Sequence, residues 1–205
     1  SLTACGSSNG SKDAKKADDS SKSGNITVGF SQVGAESDWR TANSTSMKET
    51  FSEENGYTLI FDDAQQKQEN QIKAIRNFIQ QEVDYIVLAP VTETGWDTVL
   101  KEAKDAGIPV IIVDRMVKVS DDSLYTAWVG SNFELEGKKA AAWLKAYLDA
   151  TGRGNEKINI VDIQGTIGAS AQIGRTQGFD DAVEAHDNWT TLAQQSGEFT
   201  QAKGQ

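Results

Sequence analysis

The sequence predicts an α/β protein built on parallel sheets with helices on both faces. Four short apolar runs lie at 26–30, 57–61, 85–89 and 110–113. Each of the last three begins about 25 to 31 residues after its predecessor, which is the spacing of βαβ units. The runs are apolar at consecutive positions, so both faces of each strand must be buried. Helices are therefore expected on both sides of the sheet.

Two stripes of apolar residues at helical period predict the second and third helices. Their members are Ile72, Ile75, Ile79 and Val83 in one, and Trp96, Val99, Leu100 and Ala103 in the other. A glycine follows the predicted end of two helices, in "EENG" for the first and in "DAGIP" for the third. Glycine in this position is typical of a helix C-terminus.

A second α/β unit begins at the strand-like segment "YTAWVGSN" (125–132). In the helix that follows, Ser131 and Glu134 have the spacing of a capping box. Trp143 lies on the apolar positions of this helix, and we interpret it, like Trp96, as a residue that packs in the core.

The rest of the chain continues the α/β alternation. Strands are predicted at 158–163 and 189–194, with a helix from about 169 to 186 between them, and a new helix begins within "GEFTQAKGQ" (197–205). His186, at the end of the longer helix, is predicted to be a solvated surface group.

Composition and charge exclude several classes of protein. The net charge is −10 at pH 7, which repels phosphate backbones, so we expect no nucleic acid partner. No apolar run approaches the ~20 residues of a membrane-spanning helix. With 38% hydrophobic and 24% charged residues, the chain is typical of a globular domain with a polar surface.

The single cysteine, Cys5, lies in "SLTACGSS", which resembles the lipobox of bacterial lipoproteins. The resemblance implies lipidation of Cys5; the alternative is an ordinary free cysteine in a frayed terminus. Residues 6–24 contain no aromatic and no branched apolar side chain. Such a segment buries too little surface to offset its ordering entropy. We therefore predict that residues 1–24 form a lipid-anchored flexible tether.

Polar side chains gather at the predicted carboxyl edge of the sheets, where open α/β proteins bind ligands. These polar residues and one tryptophan follow different strands. They are Glu36, Asp38, Trp39, Arg40, Asp114, Arg115 and Arg175. An aromatic ring can lie against the C–H face of a sugar. Guanidinium donors and carboxylate acceptors can bind hydroxyls, which both donate and accept. The pattern therefore favours a sugar site.

Other interpretations of these residues remain open from sequence alone. Trp39 shares a helical stripe with Met47 and Phe51, so it could be a core residue. Asp114 and Arg115 could form a surface ion pair of little energetic value. Arg175 could be an exposed residue of its helix.

The sequence offers little to support catalysis. "GFSQVG" (29–34) places its second glycine one residue too late for a nucleophile elbow. The single histidine lies on a late helix, with nothing that would direct it toward Ser31. "GTIGAS" lacks the lysine and spacing of a phosphate loop, and no Cys/His cluster could hold zinc. We expect no enzyme activity, no metal and no cofactor.

Four segments together resemble a known family. "VGFSQVGAESDWR", "DAQQKQENQIKAIRNFI", "GWDTVLKEAKDAGIPVIIVDR" and "VDIQGTIGASAQIGRTQGF" resemble the type I periplasmic sugar-binding proteins of ABC transporters. Within the ribose- and galactose-binding group, they are most similar to the galactofuranose-binding branch. The resemblance implies two doubly wound parallel-sheet lobes, one at residues 25–130 and the other at residues 131–205. A hinge is expected to join the two lobes. The second lobe is expected to be truncated in this chain, and the first hinge crossing is expected near 129–132.

The resemblance also implies which residues contact the ligand. The family's "ESxWR" block, its Asp-Arg pair and its second-lobe arginine fall on Glu36, Ser37, Asp38, Trp39, Arg40, Asp114, Arg115 and Arg175. In the family, the ring at the position of Trp39 stacks on the sugar. The third position of the block is often glycine, so Asp38 leaves the identity of the sugar open.

The function implied by the resemblance is that of a monosaccharide-binding lipoprotein. It is expected to be a monomer outside the cytoplasm that closes on its ligand and delivers it to an ABC transporter permease. The alternative is a receptor of the same fold that signals to a kinase or chemoreceptor. A sugar-responsive repressor would need a basic helix-turn-helix before the first strand, where residues 1–24 form a spacer instead. Because the family's later segments are missing from this sequence, we expect the chain alone to bind sugar weakly.

Overall fold

The computed structural model describes residues 24–205 and confirms the alternation of strands and helices. The strands are β1 (Ile26–Gln32), β2 (Tyr57–Asp63), β3 (Tyr85–Leu88), β4 (Val110–Val113), β5 (Ala127–Val129), β6 (Ile158–Gln164) and β7 (Trp189–Ser196). The helices are α1 (Asp38–Thr50), α2 (Gln68–Gln80), α3 (Asp97–Asp105), α4 (Phe133–Ala150), α5 (Ser170–Glu184) and α6 (Gln201–Gly204). The predicted lipidation of Cys5 and the tether up to residue 23 lie outside the described residues.

The N-terminal lobe, comprising β1–β5 and α1–α3, contains a five-stranded sheet in the order β2-β1-β3-β4-β5. All of its strand pairs are parallel, as predicted. The chain reverses its direction of winding between β1 and β3, and ligands of such sheets bind beyond the carboxyl ends of the strands. The loops that leave β1, β3 and β4 therefore share one edge.

Helices cover both faces of this sheet. On one face α2 and α3 pack against β3 and β4, and Trp96, the N-cap residue of α3, is 0% exposed in the same cluster. On the other face Met47 of α1 and Phe51, the C-cap of that helix, pack against a cluster around Phe30 of β1. The prediction that Trp96 packs in the core is confirmed, and the strands are apolar on both faces because both faces are buried.

The C-terminal lobe, comprising β6, β7, α4 and α5, has a parallel two-stranded sheet with α4 and α5 packed together. The two helices meet through glycine. A Cβ at Gly137 of α4 would collide with the carbonyl oxygen of Arg175, and one at Gly178 of α5 with the carbonyl oxygen of Glu134. This close crossing fixes the position of Glu136 and Arg175 relative to each other.

The two lobes join in the segment between Val129 and Phe133, where β5 ends and α4 begins. The predicted lobe boundary at residues 130 and 131 falls in this segment. Its use as a hinge stays a prediction.

Two helix ends differ from the sequence prediction. Helix α1 ends at Thr50, and "EENG" forms a separate 3₁₀ turn (Glu53–Asn55) that Gly56 closes with a φ of +88°. Helix α4 is capped by Asn132, whose side chain accepts a hydrogen bond from the N–H of Leu135. The predicted capping box of Ser131 and Glu134 is therefore wrong, because the helix begins one residue later.

Two side chains also lie in surroundings that differ from the prediction. Trp143 does not pack in the core: it is 67% exposed and stacks on Tyr147 along the outer face of α4. His186, predicted to be a solvated surface group, is only partly exposed, and its ring stacks on that of Trp189 with 4.2 Å between the ring centroids. Despite the exposed apolar side chains of α4, no helix in residues 24–205 is long and apolar enough to cross a membrane.

We predict that Gly178→Ala destabilises the protein, although alanine is normally favoured over glycine inside a helix by about 1 kcal/mol. The new methyl group would meet backbone of α4, which cannot move aside as a flexible side chain can. Overpacking of this kind lowers the free energy of unfolding by about 1–3 kcal/mol, which urea denaturation would measure. The control is Gly204→Ala in α6, where a Cβ would meet open space and stability should not fall.

Candidate functional site

A cavity of about 320 Å³ lies between the carboxyl edge of the N-terminal lobe and the helices of the C-terminal lobe. It is lined by seven of the eight predicted contact residues, which are Glu36, Ser37, Trp39, Arg40, Asp114, Arg115 and Arg175. Asp38 is not among them. The structure therefore brings together side chains that are up to 139 positions apart in the sequence.

The loop after β1 places its side chains through a helix cap. Ser37 is the N-cap of α1, and its hydroxyl accepts a hydrogen bond from the backbone N–H of Arg40 at 3.2 Å. This is the usual role of serine at a helix start. Asp38 lies in the exposed first turn, where a carboxylate is favoured by the helix dipole. A ligand contact by Asp38 stays a prediction, and the geometry does not support it.

The guanidinium of Arg40 connects the loops after β1 and β4. Its side chain is 2% exposed. Its Nε donates to Glu36 Oε1 at 3.0 Å, and its Nη2 donates to Asp114 Oδ2 at 2.8 Å. Burial of a charge is tolerated only where it is paired and hydrogen-bonded, so these two carboxylates hold Arg40 in place.

Arg115 is the second buried guanidinium of the site, with 3% of the residue exposed. Its Nη1 donates to the carbonyl oxygen of Val91 at 2.9 Å, and its Nη2 lies 3.5 Å from Glu36 Oε1. Burial, with a smaller contribution from the nearby charge of Arg40, lowers the pKa of Arg115 to about 10. Arg115 therefore keeps its charge near neutral pH.

The alternative interpretation of Asp114 and Arg115 as an isolated surface ion pair is wrong. Asp114 pairs with Arg40, and Arg115 is held by Glu36 and a backbone carbonyl. Asp114 itself adopts a left-handed backbone conformation with a φ of +62°. Such a conformation is uncommon for residues other than glycine, and it occurs more often at functional sites.

Glu36 has one oxygen that its neighbours do not use. Its side chain is 2% exposed, and Oε1 accepts from Arg40 while also lying near Arg115. Oε2 is buried and has no hydrogen-bond partner among the described residues. A buried carboxylate oxygen without a partner carries a free-energy cost. The pairing of Oε1 with two guanidinium groups holds Oε2 in this closed position.

Aromatic rings border the cavity from both lobes. Trp39 is 58% exposed, so the alternative that it is a core residue is wrong; the guanidinium of Arg40 lies 4.9 Å from its ring centroid. Phe199, from the segment after β7, lies 4.9 Å from the guanidinium of Arg115. Sequence analysis missed Phe199, although the rule that residues beyond a parallel strand share one edge could have found it.

The C-terminal lobe contributes a third arginine. Arg175 Nε donates to Glu136 Oε2 at 2.8 Å, and its guanidinium lies 5.1 Å from the ring of Phe133. Its side chain is 46% exposed, so Arg175 is both an exposed helix residue and part of the cavity lining. Glu136 and Phe133 were missed by sequence analysis, because nothing in the pattern of α4 distinguishes them from surface and core residues.

The charges around the cavity are balanced. The three guanidinium groups are matched by three carboxylates, those of Glu36, Asp114 and Glu136. Within residues 24–205, no group of histidine, cysteine and acidic side chains could hold a metal ion. The arrangement offers both donors and acceptors between two aromatic walls, with little net charge to attract an ion.

Comparison with known proteins identifies relatives of this chain. A model of the periplasmic binding protein domain family matches residues 28–205. The galactofuranose-binding protein of Escherichia coli K12 is 49% identical over 179 residues, which are 87% of this chain and 54% of that protein. The chain thus spans about half the length of this relative.

Solved structures of sugar-binding proteins are also similar to this chain in both sequence and fold. The binding protein of the arabinose ABC transporter of Shewanella sp. ANA-3, bound to α- and β-L-arabinofuranose, has a TM-score of 0.79 at 50% identity, covering 86% of this chain and 56% of that one. A Mycobacterium smegmatis protein in complex with β-D-fucofuranose has a TM-score of 0.81 at 46% identity, covering 87% and 57%. The resemblance inferred from sequence and the predicted fold class are both confirmed.

We predict that Glu36→Gln lowers the free energy of unfolding by about 3 kcal/mol, because it leaves two buried guanidinium groups with less compensating charge. Chemical denaturation would measure the loss. The matched control is Glu102→Gln, which removes the charge from an exposed pair with Arg76 and should cost less than about 1 kcal/mol. Equal losses for the two variants would contradict the electrostatic role assigned to Glu36.

Proposed function

The chain belongs to the periplasmic binding protein domain family, and from this premise we propose that it binds an uncharged monosaccharide in the cavity between its lobes. The observation that carries this proposal is the combination of an exposed indole with buried, paired arginines. Trp39 offers a flat apolar surface. The guanidinium of Arg40 lies beside it and is already paired with the carboxylates of Glu36 and Asp114. The geometry suits a sugar ring with hydroxyls on its rim.

The carboxylates and guanidinium groups that line the cavity support a ligand that both donates and accepts hydrogen bonds. A sugar hydroxyl can donate to a carboxylate oxygen and accept from a guanidinium at the same time. Hydrogen bonds to charged groups contribute roughly 1.5–3 kcal/mol each, so a few are enough for micromolar affinity, near −8 kcal/mol. The balanced charges favour a neutral sugar over a phosphorylated or acidic one.

We also propose a furanose-like monosaccharide as the ligand class. The relatives named above are a galactofuranose-binding protein and structures bound to arabinofuranose and fucofuranose. The residues proposed to contact the sugar are Trp39, Glu36, Arg40, Asp114 and Arg115, with Arg175 and Phe199 on the facing lobe.

Binding is proposed to close the lobes around the ligand. Two backbone N–H groups of the N-terminal lobe donate hydrogen bonds to the C-terminal lobe. The N–H of Glu93 donates to the carbonyl oxygen of Gly168 at 2.9 Å, and the N–H of Met116 donates to Ser170 Oγ at 2.7 Å. A ligand that contacts both lobes would favour this arrangement over an open one, because it binds the closed form more tightly.

For the whole protein, we propose a monomeric receptor that lies outside the cytoplasm and is held at the membrane by a lipid on Cys5. This receptor delivers its sugar to an ABC transporter permease. No bond is made or broken in this function. The single histidine, His186, stacks on Trp189 and is not part of the cavity lining, so it is not placed to act as a base there.

A thermal-shift screen tests the ligand class. On the protein at its full natural length, we expect a rise in Tm with neutral pentoses and hexoses, largest for those that populate furanose forms, because binding to the native state alone stabilises it. Sugar phosphates and uronic acids serve as controls and should give no shift. A larger shift with the anionic sugars would contradict the proposal.

Trp39→Ala is expected to weaken sugar binding by about tenfold or more, since it removes the aromatic surface beneath the ring. The Tm of the free protein should change little, because the side chain is mostly exposed. Isothermal titration calorimetry and thermal denaturation measure the two effects. Trp143→Ala is the matched control: it removes an exposed tryptophan outside the cavity and should leave sugar affinity unchanged.

A further inference from the structure

A buried glutamine lies behind the site without lining the cavity. Gln71, on α2, is 0% exposed. Its Nε2 donates to the carbonyl oxygen of Ala89 at 2.7 Å, and its Oε1 accepts from the N–H of Val91 at 2.9 Å. The shorter bonds at both ends of this side-chain amide therefore go to the short segment that leaves β3, and Nε2 has a longer one, at 3.5 Å, to the carbonyl oxygen of Ser31 in β1.

This segment has a backbone that the sheet alone does not satisfy. It contains Pro90, which has no N–H to donate. Ala89 and Val91 are themselves buried, at 0% and 5% exposure, and buried backbone groups need hydrogen-bond partners. The amide of Gln71 supplies a donor to the carbonyl before the proline and an acceptor to the N–H after it. A neighbouring strand would supply the same two partners.

Val91 connects this amide to the site. Its N–H is held by Gln71, and its carbonyl oxygen accepts from Arg115 Nη1 at 2.9 Å. That carbonyl is the nearest polar partner of the guanidinium, since the distance from Arg115 Nη2 to Glu36 Oε1 is longer, at 3.5 Å. The orientation of Arg115 therefore depends on where the peptide units on either side of Val91 lie.

We propose that Gln71 is a positioning residue for the sugar site. It fixes the segment 89–91, and through the carbonyl of Val91 it sets the orientation of the Arg115 guanidinium in the cavity. The proposal rests on the proposed function for its effect on affinity, but its structural step can be measured without a ligand. The fully buried amide acts through Arg115 and does not touch the sugar.

The same helix offers a matched control. Gln68, one turn earlier on α2, bonds the far end of the same loop: its Nε2 donates to the carbonyl of Thr94 at 2.7 Å, and its Oε1 accepts from Thr92 Oγ1 at 3.2 Å. Its partners are the carbonyl of residue 94 and the side-chain hydroxyl of residue 92, and unlike Gln71 it makes no hydrogen bond with the backbone of residues 89–91 that receives Arg115. Gln68→Met should therefore affect loop stability without affecting Arg115.

The test compares Gln71→Met with Gln68→Met in the protein at its full natural length. The first readout is the NMR signal and hydrogen exchange of the Arg115 guanidinium, observed with isotope-labelled arginine in the ligand-free protein. We expect faster exchange and a shifted signal in Gln71→Met only. The second readout is sugar affinity by calorimetry, which should fall about tenfold in Gln71→Met and stay within about twofold in Gln68→Met.

Each outcome has a distinct meaning. An unchanged Arg115 signal in Gln71→Met, or equal affinity losses in both variants, would overturn the positioning role. A shifted Arg115 signal in a protein that binds no neutral sugar would support the positioning role and contradict the proposed function instead. If Gln71→Met does not fold, Gln71→Asn keeps an amide that is one methylene too short to span both partners. It should shift the Arg115 signal in the same direction.

Discussion

The site depends on keeping two guanidinium groups buried next to each other. Arg40 and Arg115 are 2% and 3% exposed, and a charge removed from water is costly unless it is paired and hydrogen-bonded. Glu36 meets that requirement for both, because Oε1 accepts from Arg40 and lies near Arg115. Asp114 completes the pairing of Arg40 from another strand. The loops after β1 and β4 can therefore separate only by breaking buried ion pairs.

The rest of the N-terminal lobe is arranged to satisfy this constraint. Parallel strands bring their carboxyl ends to one edge, so residues 36–40 and 114–115 meet there despite their separation in sequence. Behind them, Gln71 holds the backbone that receives Arg115. Gln32, which is also 0% exposed, donates to Asn43 Oδ1, and Arg40 Nη1 lies 3.5 Å from the same oxygen. Buried polar networks of this kind are stable only when nearly every member is satisfied, and the free oxygen of Glu36 stands out for that reason.

The C-terminal lobe faces the same cavity with a different construction. Glycine at 137 and 178 lets α4 and α5 approach until backbone meets backbone, and this pairs Glu136 with Arg175. Arg175 remains half-exposed, unlike the two arginines of the other lobe. The charged groups of the N-terminal lobe are thus held before any ligand arrives, while those of the C-terminal lobe remain partly hydrated.

The sequence by itself determined the elements and the edge at which the site lies. Strand spacing and apolar periodicity predict parallel sheets, because those patterns follow from burial on both faces. They do not predict that Trp143 is exposed, since a helical stripe shows which residues are apolar and not what covers them. The shared edge of parallel strands places Phe199 near the site, but it does not predict the contact of its ring with Arg115. Only the tertiary structure decided the pairing of Arg40 with Asp114, across 74 positions, and the burial of both arginines. Such contacts form because the fold brings together loops that are distant in sequence, and local sequence patterns do not encode this.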